Sequence, residues 1–289
     1  MPTNSPNRRI VQIAMQSNGR GHLSHPLDGR YGWRQACRYG PPVFDPIGPR
    51  GSTIPTNHLD YAGSIWPCLA EELYRRGAGW NQFRNTAVGS TGMITDWWGF
   101  PSSVLATAGG AGWDPNSYIA DAISELNSGI HDERWVFIGE GSNDASADHS
   151  LANMTSVYQL LANYALDNGA DGVILCLSSH TNNGSNDNWM EEVGSVARTA
   201  ALAALASDSR VHAGWDLAGT YGNSWGYHDV VDDTSSAIDW TSSSHWDLAG
   251  YEICINEALE ALGPDGAGWY TTPHTHWSFA GSGRFPPNL

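Results

Sequence analysis

The sequence predicts an α/β chain, a three-layer α/β/α sandwich around a central five-stranded parallel sheet. Three observations carry this expectation. Five short apolar runs are spread along the chain, segments of helical period lie between them, and long loops follow several of the runs. Strands that alternate with helices form parallel sheets covered on both faces, so their strands read as nearly continuous apolar runs. Right-handed crossovers then wind the helices onto both sides.

The expected strands are Ile10–Gln16, Phe83–Val88, Trp135–Gly139, Gly172–Ser178 and Val211–Trp215. Ile65, Leu69 and Leu73 recur every four residues and predict a helix that stops at Gly77. Ile119, Ile123 and Leu126 mark a second helix, with Asn116 or Ser117 as its cap. Met154, Val157, Leu161 and Tyr164 mark a third, ended by Asn168 and Gly169. The alanine-rich stretch Glu191–Ser207 is the fourth. Tyr251, Ile255, Ala258, Leu259 and Leu262 mark the last, closed by Gly263 and Pro264. One domain is expected over residues 1–289, with its core at about 10–262 and an extension, 263–289, laid across the surface.

Composition narrows the function. Fourteen basic against 30 acidic residues give a formal net charge of −16, and no basic block occurs. Nucleic acid and anionic membrane surfaces are therefore disfavoured partners. No run approaches transmembrane length, and the opening residues carry no apolar leader segment, so no signal peptide is expected in this chain. Cys37, Cys68, Cys176 and Cys254 form no paired motif, which argues against a zinc cluster. Cys176 and Cys254 are expected to be buried thiols, and a Cys37–Cys68 bridge stays open.

In doubly wound sheets the chemistry sits beyond the carboxyl ends of the strands. Ser17 follows the first run directly, in Met15-Gln16-Ser17-Asn18, where a hydroxyl can be exposed on a strand-to-loop turn. Taken alone it reads equally well as a turn serine. Gly89 follows the second run, and a glycine there lets a backbone N–H approach an oxyanion closely. Gly141-Ser142-Asn143-Asp144 follows the third run; Asn143 can donate from its amide, while Asp144 fits a turn acid. His245 stands just before the last helix, on a loop that can reach back to Ser17.

Ser after the first strand, Gly after the second, Gly-x-Asn-Asp after the third and His before the last helix form one ordered set. In that order the sequence resembles the SGNH (GDSL-like) hydrolases, over about residues 10–262. Gln16-Ser17-Asn18, Gly48-Pro49 and Asn85–Gly89 resemble the branch of sialate O-acetylesterases and acetylxylan esterases, with Met15 where that branch has glycine. The resemblance implies a flavodoxin-like sheet and a serine esterase working through an acyl-enzyme. Ser17 would be nucleophile and His245 its base, with the Ser17 N–H, the Gly89 N–H and the Asn143 side chain as oxyanion hole. No metal or organic cofactor is implied. The family's acid, three residues before the His, is Ser242 here. Asp239, if its loop folds back, or a backbone carbonyl would then orient the imidazole.

Other signals compete. Gly222-Asn223-Ser224-Trp225-Gly226 matches a nucleophile elbow, but no apolar strand precedes it and no amphipathic helix follows. His274 and His276 alternate like metal ligands but lack a third. Trp97, Trp98, Trp113, Trp189, Trp225 and Trp240 fall in loops near strand ends, and flat indole faces suit sugar rings. Trp97 and Trp225 are the expected substrate contacts. The substrate class expected is a small-molecule or polysaccharide ester, foremost O-acetylated carbohydrate. A general short-chain carboxylesterase and a non-catalytic carbohydrate-binding module are the alternatives.

Overall fold

A computed structural model describes residues 8–15, 65–87, 91–98, 117–128, 131–177, 189–218, 248–273 and 275–277. Its strands are β1 (Arg8–Ala14), β2 (Trp80–Asn85), β3 (Glu133–Glu140), β4 (Gly172–Leu177) and β5 (Val211–Asp216). All pair in parallel, in the order β2-β1-β3-β4-β5. The helices are α1 (Ile65–Arg75), α2 (Ser117–Leu126), α3 (Ser142–Ser146), α4 (Leu151–Asp167), α5 (Val196–Ala204) and α6 (Leu248–Leu262). Two six-residue π-helical turns, Met93–Trp98 and Met190–Ser195, complete the described elements.

Side chains alternate across a strand, and that period of two divides the core into two halves. Ile10, Val136, Ile138, Val173 and Leu175 pack with α2, α4 and α5 on one face. Val11, Ile13, Phe137, Ile174 and Cys176 pack with α1 and α6 on the other. The three-layer sandwich is the expected one. A fully buried Leu or Ile contributes about 1.5–3 kcal/mol, more than any difference in helix propensity among ordinary residues, so packing decides these elements. On the α1 face Trp66 sits against Phe83, Phe137 and Trp215, at ring-centroid distances of 5.6, 5.2 and 5.9 Å.

The segment beyond Leu262 does more than cross the surface. Trp269, Tyr270 and Trp277 are buried in the same apolar cluster as α1 and α6. The Tyr270 hydroxyl donates to Leu259 O at 2.5 Å, and the Asn256 amide exchanges two hydrogen bonds with the Trp277 backbone. These aromatic side chains, in the segment expected as an extension, close that face.

The strand edges also differ from expectation. β1 begins at Arg8 and β3 at Glu133, because Arg9 is buried there and pairs with Glu133 at 2.5 Å. β2 lies three residues upstream of the run expected at Phe83–Val88. Cys176 and Cys254 are buried and form no disulfide; Cys37 lies outside the described residues. Among the described residues no helix is long and apolar enough to cross a membrane.

Candidate active site

The chain runs from β1 to β2 on one side and then to β3 on the other, so β1 and β3 flank the switch in strand order. Ala14 pairs with Ile138, and Ile13 with both Asn85 and Phe137, so three strands end near one another. The Thr86 hydroxyl donates to Ile13 O at 2.9 Å and ties the ends of β1 and β2 together. Ligand sites of open α/β sheets lie at this position.

After β3 the chain turns through Gly141, whose φ of 84° is left-handed and favours glycine. That turn starts α3 and carries Asn143 and Asp144. The Asn143 amide nitrogen donates to Thr91 O at 3.0 Å. Asp144 is fully buried, and its carboxylate accepts from Met93 N at 2.9 Å and from Ile94 N at 3.0 Å. The first N–H groups of a helix lack partners within it, and they carry the positive end of its dipole. A carboxylate satisfies both requirements. The expected turn acid is therefore a long-range clamp, reaching a segment some 50 residues earlier.

Residues 91–98 are held at further points. Gly92 N donates to Asp96 Oδ2 at 2.7 Å, and the Trp97 indole N–H donates to Thr91 Oγ1 at 2.9 Å. Trp97 is 1% exposed, its ring lying 5.7 Å from that of Tyr118. The expected substrate contact at Trp97 is thus a buried ring whose N–H bonds within the chain. Trp98 is buried too, and Trp189 is buried with its indole N–H on His149 O at 2.8 Å.

A second polar cluster lies where β4 and β5 end. Their pairing is irregular between Leu175 and Leu177. Buried Arg198 on α5 donates to Leu175 O at 2.9 Å and to Gly214 O, and pairs with Asp216 at 3.4 Å. Ser195 adds a hydroxyl bond to Asp216 at 2.7 Å. The Tyr158 hydroxyl donates to Cys176 O at 2.9 Å, and burial raises its pKa well above the usual phenol range. Tyr158 therefore serves as a neutral hydrogen-bond donor to the strand backbone.

Ser17, Gly89, His245, Asp239 and Trp225 lie outside the described residues, as do Ser224, Ser242, Trp113, Trp240 and His274. Described chain comes within two residues of Ser17 at Met15, and within two of Gly89 at Ala87 and Thr91. His276 is exposed, and among the described residues no group of three or more His, Cys, Asp or Glu side chains is gathered around a common point.

No family model matches the sequence, and no curated protein matches it. Solved structures do match. A carbohydrate acetylesterase from Xanthomonas citri superposes with a TM-score of 0.51 at 11% identity, over 88% of this chain and 55% of that one. The two share a fold, an α/β sandwich around a parallel sheet. An active-site mutant of a family two carbohydrate esterase from Clostridium thermocellum is also similar, with a TM-score of 0.48 at 14% identity, over 92% of this chain and 66% of that one. The chain thus spans between about half and two thirds of these neighbours' length. At such identities the likeness is one of fold. Within the SGNH pattern, Asn143 is the lettered residue that falls among those described. Nothing in the sequence singled out the π-helical turn at Met93–Trp98 or the reach of Asp144 to it. The Asn-Asp dipeptide was the signal for the latter, and it reads locally as a turn.

Proposed function

We propose that the protein is a serine esterase that removes O-acetyl groups from carbohydrate. The observation that carries this reading is the setting of Asn143. It lies directly after β3, beside the end of β1, with its amide held against the backbone that follows β2. Supporting it are the ordered Ser, Gly, Asn and His blocks, and the fold shared with the acetylesterase from Xanthomonas citri.

In this reading the Ser17 hydroxyl oxygen attacks the ester carbonyl carbon while His245 takes its proton. The oxyanion that forms is held by the Ser17 N–H, the Gly89 N–H and the Asn143 amide. Loss of one such donor costs about 3–4 kcal/mol of transition-state stabilisation. The tetrahedral centre collapses, the alcohol leaves with the proton from His245, and water hydrolyses the acyl-Ser17. Asp239 or a backbone carbonyl orients the imidazole. Trp225 is the remaining candidate for sugar contact.

The burial of Trp97, Trp98 and Trp189 favours one second reading. With those indoles withdrawn, the same machinery serves a general short-chain carboxylesterase.

The test is hydrolysis of p-nitrophenyl acetate by wild type, Ser17→Ala and Ser224→Ala. Ser17→Ala is expected to lose roughly 10³-fold or more in kcat, and Ser224→Ala little. The reverse pattern transfers the nucleophile to the Gly222–Gly226 motif. A folded wild type with no turnover of any ester moves the protein to the binding-module reading. Acyl-length series and acetylated xylan separate the two esterase readings.

A further inference from the structure

We infer that Asp144 is a positioning residue of the proposed esterase site, its carboxylate fixing the backbone after β2 in register with Asn143. The inference rests on the esterase reading above. Asn143 and Asp144 are neighbours on α3, yet both reach the same segment and grip it with opposite polarity. Asn143 donates to the carbonyl of Thr91, while Asp144 accepts from the N–H groups of Met93 and Ile94. A shift of residues 91–94 relative to Asn143 therefore breaks three hydrogen bonds, two of them made by a fully buried carboxylate.

Gly92 makes this grip sterically possible. A Cβ at that position would stand 3.1 Å from Asp144 Oδ1 and 3.1 Å from Thr95 Oγ1. Such contacts are tight, and the carboxylate or the turn must yield to them. The segment so fixed begins two residues after Gly89, the proposed backbone donor. In the esterase reading one oxyanion donor comes from the chain after β2 and another from α3. Donors of this kind work because they are fixed before charge develops. Displacing one by about 1 Å from a distance costs on the order of 10²-fold in rate. Asp144 is fully buried and so acts through Asn143 and the 91–94 backbone rather than on substrate.

Asp144→Asn keeps the volume but replaces one acceptor oxygen by an NH2 facing an N–H donor. With p-nitrophenyl acetate, its kcat is expected to fall roughly tenfold to hundredfold while KM moves less than about threefold. Combined with Asn143→Ala, it is expected to cost no more than Asn143→Ala alone, since both remove the same geometry. A role confined to stability predicts otherwise: a lower Tm, unchanged kcat per folded molecule, and effects that multiply in the double variant. Either unchanged kcat or multiplying effects overturns the inference. If Asp144→Asn does not fold, Gly92→Ala presses on the same carboxylate and carries the same kcat and coupling test. Should Ser17→Ala be as active as wild type, the assignment of Ser17 and its oxyanion hole fails and takes this inference with it. Should Ser17→Ala be dead and Asp144→Asn fully active, this inference alone fails.

Discussion

At the end of β3 a buried acid holds two backbone N–H groups, whereas at the ends of β4 and β5 a buried base holds two backbone carbonyls. Asp144 binds the start of a helical turn, where the donors form part of an aligned dipole. Arg198 binds carbonyls at an irregular stretch of strand pairing, and it needs Asp216 as counter-ion. The first arrangement joins segments from two crossovers beside the crevice in strand order. The second repairs a strand pair at the far side of the sheet. A buried charge thus marks a backbone irregularity in both places, but only its position relative to the β1–β3 switch gives it a link to chemistry.

The comparison is broken most strongly at Arg198. Arg198→Ala leaves the carbonyls of Leu175 and Gly214 and the Asp216 carboxylate without this partner. Removing one member of a buried ion pair costs about 3–5 kcal/mol. Urea unfolding should show that loss in the midpoint, with kcat per folded molecule unchanged. An equal loss of kcat would mean that the two clusters are not functionally distinct.

Trp97 sharpens the contrast between charged and neutral anchors. Trp97→Phe keeps most of the ring and deletes the N–H that bonds Thr91 Oγ1. A cost of about 1–2 kcal/mol in stability is expected, with KM for an acetylated sugar unchanged. A several-fold rise in KM would restore the indole as a substrate contact.

The smallest effect is expected at His212, on the strand that ends at Asp216. Burial pushes its imidazole below the ordinary value of 6.5. A group whose pKa is depressed on folding contributes stability that is intact above its unfolded pKa and is lost as pH falls through the folded one. Tm should therefore decline modestly from about pH 7.5 to about pH 5, and His212→Gln should flatten part of that decline. An identical slope in the variant would assign the decline to other groups.

How far the sequence could be read follows the same physics. β3 and β4 are buried on both faces, so Trp135–Gly139 and Gly172–Ser178 stood out as apolar runs. β2 is an edge strand of sequence Trp80-Asn81-Gln82-Phe83-Arg84-Asn85, and the apolar criterion slid past it to Ala87 and Val88. The helix end at Asn168 is legible because caps are local. The turn at Met93–Trp98 is too short to show a period. The partners of Asp144 lie some 50 residues away, and no local pattern encodes that distance. The burial of Trp97 is not legible in the sequence because exposure belongs to the tertiary structure; a tryptophan between strands reads the same whether it lines a cleft or fills the core. The position of Asn143 just after a strand is legible because the end of β3 is an apolar run, while its role belongs to the proposal.

The docking of Trp269, Tyr270 and Trp277 has a consequence for how the protein is made. As the chain leaves the ribosome, the helices of one face, α2, α4 and α5, are complete once residue 204 has emerged. The opposite face must wait for α6 and for Trp277 before it can close over Trp66 and Phe137. A nascent chain thus carries an uncovered aromatic surface on a half-built sheet until residue 277 has emerged. Partly covered intermediates of this kind are prone to aggregate, so a pause in translation between residues 204 and 277 is the stage at which this fold is most exposed to misassembly.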